Sequence, residues 1–324
     1  MSKIIDLDAK DRKLLWELEL DARRNNAEIG KRVGLSKEVV SYRINRLIRE
    51  GVIEYFQTII NVGKLGYANF RVYLKLEDMT PVQEKDFFNY LAKHPKIWWI
   101  VRAEGRWNTN FAVWARDIID FYEFWDELMD HHKRFIQERQ ISIYVYLVHL
   151  KRSYLLGTKE REVASPLVVG GRELVPADGL DLKILRVLGQ NGRMPSVEIA
   201  KKVRSSPKVV AYRIRRLEKE GIILGYKPML NLKRIGYEIY KMDVRLRDKK
   251  AVKKAEAWAL MNPNVVYIDK TIGGTDFEFD VNVKSPEELD SLLNELRNLL
   301  GPSIRDIEYF RGISELKITY MPEK

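Results

Sequence analysis

The sequence contains no cysteine and only four histidines among its 324 residues. The absence of cysteine excludes a disulfide framework, a cysteine-ligated zinc or iron–sulfur centre and a cysteine nucleophile. No apolar run approaches the roughly 18 residues that a membrane-spanning helix needs. The first residues also lack the apolar core of a signal peptide. We therefore expect a cytoplasmic protein without a membrane partner.

The histidines form no pattern that is typical of catalysis. His131 and His132 are adjacent near a predicted helix end, where neighbouring side chains point apart and the helix dipole favours a cation. The sequence contains no phosphate-binding glycine loop, dinucleotide fingerprint, HExxH or GxSxG motif. It therefore predicts no enzyme, no catalytic residue, no metal site and no cofactor.

Positive charge is in excess. Lys and Arg number 57 against 46 Asp and Glu, which gives a formal net charge of +11. A basic balance indicates a polyanionic partner such as nucleic acid. A protein from a heat-loving organism would also be rich in charged residues and poor in cysteine, so the positions of the charges must decide.

An internal repeat organises the chain. Residues 11–67 align without a gap with residues 181–237, and 23 of the 57 paired positions are identical. The similarity resumes at a slightly different offset, for example at Gly105 and Gly273. The same unit thus occurs twice, separated by a stretch with Gly, Pro and Ser. The predicted domains are 1–62, 63–156, 178–232 and 233–324, with a linker at 157–177.

Each copy has two parts. The first part shows three apolar-periodic segments, which predict a helix-turn-helix unit with its third helix at 36–50 or 206–220. Alternating segments at 52–62 and 222–232 predict a short β wing. The second part predicts strands at 67–76, 97–104, 109–115 and 140–151 in copy one, and at 237–247, 265–272, 277–283 and 306–319 in copy two. Helices are predicted between them at 82–93, 118–130, 250–261 and 286–299.

The order β-α-β-β-α-β is typical of a ferredoxin-like sandwich. Because helices cover only one face of such a sheet, the other face must pack on something, most simply a second sheet. The predicted fold class is therefore α+β, with two tandem copies of a winged helix-turn-helix followed by a ferredoxin-like domain.

The third helices carry the candidate DNA-binding residues. Outside the buried stripe, each helix offers basic and polar side chains that can grip phosphate or read base edges. The alternative is a solvent-exposed helix face with ion pairs within the helix. The occurrence of the same arrangement in both copies disfavours this alternative. Residues 178–227 hold 12 basic and 5 acidic residues against 11 and 9 in residues 8–56, so copy two should bind phosphate more strongly. The candidates are Ser36, Lys37, Ser41, Tyr42, Arg43, Asn45 and Arg46 in copy one, and Ser206, Lys208, Tyr212, Arg213, Arg215 and Arg216 in copy two.

The arrangement resembles the Lrp/AsnC family, the feast/famine transcription regulators of bacteria and archaea. The resemblance rests on LDAKDRKLLWEL (7–18), AEIGKRVGLS (27–36) and VVSYRINRLIREGVI (39–53), on their counterparts in copy two, and on TIGGTDFEFDV (271–281). It implies a regulator that binds double-stranded DNA and dimerises through its sandwich domains. It also implies that an amino acid or another small effector can bind near the turn between sandwich strands two and three.

In copy two the implied effector pocket would include Gly273, Thr275 and Asp276. A carboxylate at this turn could hold the ammonium group of an effector by a charge-assisted hydrogen bond. The alternative for Asp276 is a turn residue that caps backbone. Copy one has Asn108 at this position, and Trp98, Trp99 and Trp114 nearby. These tryptophans are interpreted either as core or interface packing, or as filling the pocket or altering its ligand preference.

Members of that family usually carry one copy per chain, so the duplication leaves two assemblies open. The copies form an intramolecular pseudo-dimer, whose DNA site need not be a palindrome, or each sandwich pairs with its twin in another chain. A homo-oligomer is expected. An archaeal, thermophilic source would fit the composition.

Two other functions stay open. Siroheme decarboxylases resemble this family in fold and would be expected to use His and Arg around a tetrapyrrole cavity, yet the second sandwich contains no histidine. A DNA-architectural protein would bind phosphates with little preference among sequences and with a steep salt dependence.

Overall fold

The computed structural model describes residues 4–158, 164–171 and 173–321. Copy one contains, in chain order, α1 (Ala9–Leu20), α2 (Asn26–Val33), α3 (Lys37–Arg49), β1 (Ile53–Ile60), β2 (Ala68–Leu76), α4 (Pro81–Lys93), β3 (Ile97–Glu104), β4 (Thr109–Ala115), α5 (Ile118–His132) and β5 (Ile136–His149). Strand β6 (Leu167–Gly170) lies between the copies. Copy two contains α6 (Gly179–Gln190), α7 (Ser196–Val203), α8 (Pro207–Lys219), β7 (Ile223–Leu230), β8 (Glu238–Leu246), α9 (Lys249–Met261), β9 (Val265–Ile272), β10 (Phe277–Val283), α10 (Pro286–Leu300) and β11 (Ile304–Ile318).

This order confirms the predicted fold class. The strands and helices predicted for the two sandwich domains all lie within four residues of their observed bounds. Among the described residues, no helix is both long enough and apolar enough to cross a membrane.

Local sequence explains where α3 and α8 begin. The hydroxyls of Ser36 and Ser206 accept hydrogen bonds from the backbone N–H groups of Val39 and Val209, at 3.3 and 3.2 Å. Such N-caps satisfy a donor that a helix start leaves free. The buried stripe of each helix fixes which face is exposed, and it consists of Val40, Ile44 and Leu47 in α3 and of Val210, Ile214 and Leu217 in α8.

The wing is shared between the copies. Strand β1 pairs antiparallel with β7, so each copy contributes one strand to a common two-stranded ribbon. The helices then pack on the strand of the other copy. Ala22, after α1, donates its N–H to the carbonyl of Tyr226 on β7 at 3.0 Å. On the other side, the hydroxyl of Thr58 on β1 donates to the carbonyl of Leu188 on α6 at 2.7 Å.

The two sandwich sheets are also joined to each other. The strand order is β2-β4-β3-β11-β8-β10-β9-β5-β6, and β2 pairs in addition with β5, which closes eight antiparallel strands into a ring. The long strands β5 and β11 connect the two sheets. Strand β5 pairs with β2 of its own copy and β9 of the other, and β11 pairs with β8 of its own copy and β3 of the other. Helices α4 and α5 cover the outside of one sheet and α9 and α10 that of the other. The two copies therefore pair inside one chain, with their inner sheet faces toward each other.

The segment 157–177, predicted as a linker, contains β6; its residues 159–163 and 172 lie outside the described residues. Strand β6 pairs with β5. The side chain of Asn61 exchanges two hydrogen bonds with the backbone of Gly170, at 2.9 and 3.0 Å. Gly170 has φ +124°, and a Cβ there would lie 2.3 Å from the carbonyl oxygen of Val145, so only glycine fits.

Candidate nucleic-acid interface and inter-sheet cavity

Helices α3 and α8 expose equivalent positions. Tyr42 and Tyr212 are 61% and 59% exposed, although both are aromatic. Ser41 is half-buried. The other predicted residues on this surface are exposed, namely Ser36, Lys37 and Asn45 in α3 and Ser206, Lys208 and Arg215 in α8. Both faces are thus available to a DNA groove.

The remaining predicted residues hold each unit together. In copy one, Nη1 of Arg43 lies 2.8 Å from Oδ1 of Asp11, and Arg46 donates to Oδ2 of the same carboxylate. Asp11 lies on α1 and is 1% exposed. Copy two repeats the arrangement with Arg213, Arg216 and Asp181, which is fully buried. These arginines therefore connect the third helix of each unit to its first helix. Part of their positive charge is neutralised by these carboxylates.

The pKa shifts agree with these pairs. Hydrogen bonds to Asp8 and Asp11 raise the pKa of Arg43 above its ordinary value. In copy two, a hydrogen bond from the backbone of Asp181, followed by one from Arg213, lowers the pKa of Asp178. Both shifts favour the charged forms of Arg43 and Asp178.

The two helix-turn-helix units touch each other. Nη1 of Arg23 donates to the carbonyl of Gly192 at 2.7 Å, and Nη2 of Arg193 donates to Oδ1 of Asn26 at 2.9 Å. Together with the β1–β7 ribbon, these bonds hold α3 and α8 in a fixed relation within one chain.

The predicted effector turn is held by backbone contacts. Oδ2 of Asp276 accepts a hydrogen bond from the N–H of Leu246 at 2.8 Å. In copy one, Oδ1 of Asn108 accepts the equivalent bond from Leu76 at 2.9 Å. The nearby Gly273 has φ +86°, and the N–H of Thr275 donates to Glu278 at 2.9 Å. Effector binding by Gly273, Thr275 and Asp276 stays a prediction, and none of the three is among the described residues that line the cavity between the sheets.

That cavity has a volume of about 630 Å³. The inner faces of both sheets and residues of the β1–β7 ribbon enclose it. Trp98 stacks on Trp114 with ring centroids 4.7 Å apart, so these tryptophans pack at the interface between the sheets. The aromatic residues that line the cavity are Tyr55, Trp98, Trp99, Tyr144, Tyr237, Tyr267 and Tyr320.

A buried charge cluster lies between the sheets. Asp269 on β9 is 3.2 Å from Nη1 of Arg71 on β2, and it also bonds Lys241 on β8. Lys241 Nζ lies 3.3 Å from Glu278 and 3.6 Å from Asp280. The cluster holds two cations and four carboxylates, all at most 8% exposed: Arg71, Lys241, Asp243, Asp269, Glu278 and Asp280.

The excess of carboxylates shows in their pKa values. Burial, opposed by the attraction of Lys241, raises the pKa of Asp243 to about 7 and that of Asp280 to about 6. Although burial acts against it, Asp269 helps to hold the pKa of Lys241 well above its ordinary value. The cluster therefore favours further positive charge or bound protons.

The sequence interpretation missed this cluster, although a signal was present. Along β10, Glu278, Asp280 and Asn282 alternate with Phe277, Phe279, Val281 and Val283. The polar residues thus occupy the face that was expected to pack on a second sheet. Alternation alone, however, is equally typical of a face in water.

A second buried ionic group joins the first helix-turn-helix unit to the rest of the chain. Glu19 on α1 is fully buried and lies 2.7 Å from Nζ of Lys227 on β7 and 3.2 Å from Nη1 of Arg152, which follows β5. Arg152 also lines the cavity. At the repeat-related positions copy two has Gly189 and copy one has Gln57, so this junction exists on one side of the pseudo-dimer.

The described residues contain no group of three or more His, Asp or Glu side chains that could hold a metal ion. His149 is fully buried, and burial holds its pKa well below the ordinary value. His131 and His132 lie at the end of α5 against Tyr90.

The fold and the exposed helix faces define a winged helix-turn-helix protein. A family profile described as winged helix-turn-helix DNA-binding matches residues 7–54 and 178–223. The chain is 32% identical over 110 residues to an uncharacterized HTH-type transcriptional regulator of Pyrococcus abyssi, covering 34% of this chain and 73% of that one. It is 35% identical over 140 residues to the proline dehydrogenase transcriptional activator of Rhodobacter capsulatus, covering 42% of this chain and 86% of that one. The chain belongs to the Lrp/AsnC family and is a DNA-binding transcription regulator of the helix-turn-helix type.

A solved structure extends the comparison to the whole chain. The siroheme decarboxylase NirDL aligns with a TM-score of 0.62 at 14% identity, covering 97% of this chain and 94% of that one. At this identity the likeness concerns the fold, including its two-copy architecture.

Proposed function

We propose that the chain regulates transcription as an intramolecular pseudo-dimer that inserts α3 and α8 into successive major grooves of double-stranded DNA. The observation that carries the proposal is the equivalent exposure of the two helices. A helix-turn-helix pair held at a fixed spacing reads two half-sites together. Because the two faces differ in sequence, the operator need not be a palindrome.

The two faces are unequal in charge. At two repeat-related positions, α3 has Glu38 and Asn45 where α8 has Lys208 and Arg215. All four are exposed, and together they outweigh the single reverse difference, Lys37 in α3 against Pro207 in α8. Phosphate contacts supply most of the salt-dependent affinity of a DNA-binding protein, so α8 is proposed as the stronger anchor.

The test exchanges one position between the copies. Arg215→Asn places the copy-one residue in α8, and Asn45→Arg does the reverse. Gel-shift titration against selected genomic fragments should show about a tenfold or larger loss for Arg215→Asn, together with a shallower salt slope. Asn45→Arg should strengthen binding.

Arg297→Asn on the exposed face of α10 is the matched control and should change neither quantity. Unchanged affinity of Arg215→Asn would contradict the placement of α8 in the groove. A DNA-architectural protein would instead bind all fragments alike, with a steep salt dependence.

Effector sensing and homo-oligomer formation belong to the same proposal. Repeating the titration with a panel of amino acids tests the first, and Asp276→Ala should remove any response that depends on this carboxylate. Light scattering of the free and DNA-bound protein tests the second.

A tetrapyrrole decarboxylase is the second candidate function. The whole-chain fold similarity to NirDL and the 630 Å³ cavity between the sheets favour it. A solved structure of that enzyme is a complex with an iron-uroporphyrin III analogue. Here, none of the four histidines is among the described residues that line the cavity. Adding the same analogue to the purified protein and recording its absorbance spectrum tests this candidate directly.

A further inference from the structure

We infer that the cavity between the two sheets binds a small organic cation, an amine or a guanidinium compound, held by Asp280 and Glu315 among aromatic rings. This site lies in the sandwich domains, away from α3 and α8, and goes beyond DNA binding.

The arginines that line the cavity already have carboxylate partners. Arg71 pairs with Asp269 and Arg152 with Glu19, both at 3.2 Å. Arg311 pairs with Glu238 at 3.0 Å and with Glu104. Of the two lysines in the lining, Lys317 donates to the carbonyl of His94 at 3.1 Å, and Lys233 is exposed, as are the carboxylates Glu54 and Glu315. An anionic ligand would have to compete with these existing partners.

Three carboxylates that line the cavity have incomplete partners. Glu315 accepts a hydrogen bond from Trp99 and makes no ion pair within 4.0 Å among the described residues. Glu54 accepts from the amide of Asn231 at 3.0 Å. Asp280 reaches Lys241 only at 3.6 Å, and one of its oxygens has no hydrogen-bond donor within the described chain.

These carboxylates also act on one another across the cavity. Glu315 and Glu54 line the cavity at exposed positions, whereas Asp280 lies buried in its wall. Desolvation raises the pKa of Glu315 to about 7; Trp99 and Arg152 act against this shift, while Glu54 and Asp280 add to it. A cation placed between the three carboxylates would be stabilised by all of them.

The rings supply the rest of the site. Tyr267 and Tyr320 line the cavity with Trp99. Burial, with a smaller contribution from the charge of Glu315, raises the pKa of both tyrosines. The guanidinium of Arg71 already lies 4.5 Å from the centre of the Trp99 ring, which shows that this wall accepts a cation. A volume of about 630 Å³ suits a small molecule. Aromatic faces combined with unpaired carboxylates are the usual means of holding an organic cation.

The test is calorimetric titration of the full chain, without DNA, using spermidine, agmatine and L-arginine as probes and L-glutamate as the anionic comparison. At least one cationic probe should bind and quench tryptophan fluorescence. Glu315→Gln and Asp280→Asn, which keep side-chain shape, should each weaken that binding at least tenfold.

Glu308→Gln is the matched control on the same strand, because Glu308 pairs with Arg106 at 2.7 Å and does not line the cavity. Circular dichroism verifies that each variant is folded. The inference is overturned if no cationic probe binds, if L-glutamate binds instead, or if Glu315→Gln binds like the parent. Since no DNA is present, such a failure leaves the proposed DNA binding untouched.

Discussion

Replacing Arg213 and Arg216 on α8 should destabilise the second helix-turn-helix unit, apart from any effect on DNA binding. Arg213 and Arg216 both bond Asp181, whose side chain is fully buried. Arg213→Ala with Arg216→Ala leaves that carboxylate without a cationic partner inside the unit. Arg215 lies between them in sequence but is exposed, so Arg215→Ala should leave stability unchanged.

The magnitude follows from the burial of Asp181. Removing the partner of a buried charge typically costs about 3–5 kcal/mol. Removing Arg216 alone should cost less, about 1.5–3 kcal/mol, because Arg213 still bonds the same carboxylate at 3.2 Å. At roughly 2–4 °C per kcal/mol, the double substitution should lower the melting temperature by about 10 °C.

The assay combines melting followed by circular dichroism with gel-shift titration at a temperature where every variant is folded. Adding Asp181→Asn to the double variant should restore part of the stability, since it removes the unpaired charge. In copy one, Arg43→Ala with Arg46→Ala should behave alike through Asp11. The reasoning is refuted if the double variant melts like the parent while losing DNA affinity, because its arginines would then act on DNA alone.

Two further predictions concern the buried charges. The pKa of Asp243 is about 7 in the folded protein against an ordinary value of 3.8, so its stabilising contribution is complete below about pH 4 and lost as the pH rises through 7. The stability that Asp243→Asn gains over the parent should therefore grow between pH 5 and 8, to at most on the order of 4 kcal/mol. Urea titrations that show the same gain at every pH would contradict this. Glu19→Gln should destabilise the protein by about 3–5 kcal/mol because Lys227 and Arg152 lose their shared carboxylate. Lys227→Gln should destabilise it less, since Arg152 remains as a partner of Glu19. Equal losses of stability on thermal melting would argue against the shared pair.

Local elements could be predicted from the sequence because their signals are local. The predicted bounds of β3 and β4 are the observed ones, and Ser36 and Ser206 mark the predicted starts of the third helices. Strand partners depend on contacts far apart in the chain, so the pairing of β1 with β7 had no sequence signal. The candidate DNA-binding residues were selected by their position around the helix. This position distinguishes Arg215 from the buried stripe, but it does not reveal that Arg216 donates to Asp181 on α6.

The inner sheet faces explain why the copies pair with each other. Copy one contributes Arg71, and at the positions related to the four buried carboxylates of copy two it has Tyr73, Val101, Asn110 and Ala112, which are all uncharged. Two copy-one sheets would therefore bury two arginines without a carboxylate. Two copy-two sheets would bury eight carboxylates against two lysines. Only the mixed pair brings Arg71 to Asp269, and unpaired buried charge disfavours the other combinations by several kcal/mol. The charge pattern thus favours pairing of a copy-one sheet with a copy-two sheet, which this chain achieves between its own two halves. The two helices proposed to read DNA, α3 and α8, are consequently held in one chain as an unlike pair.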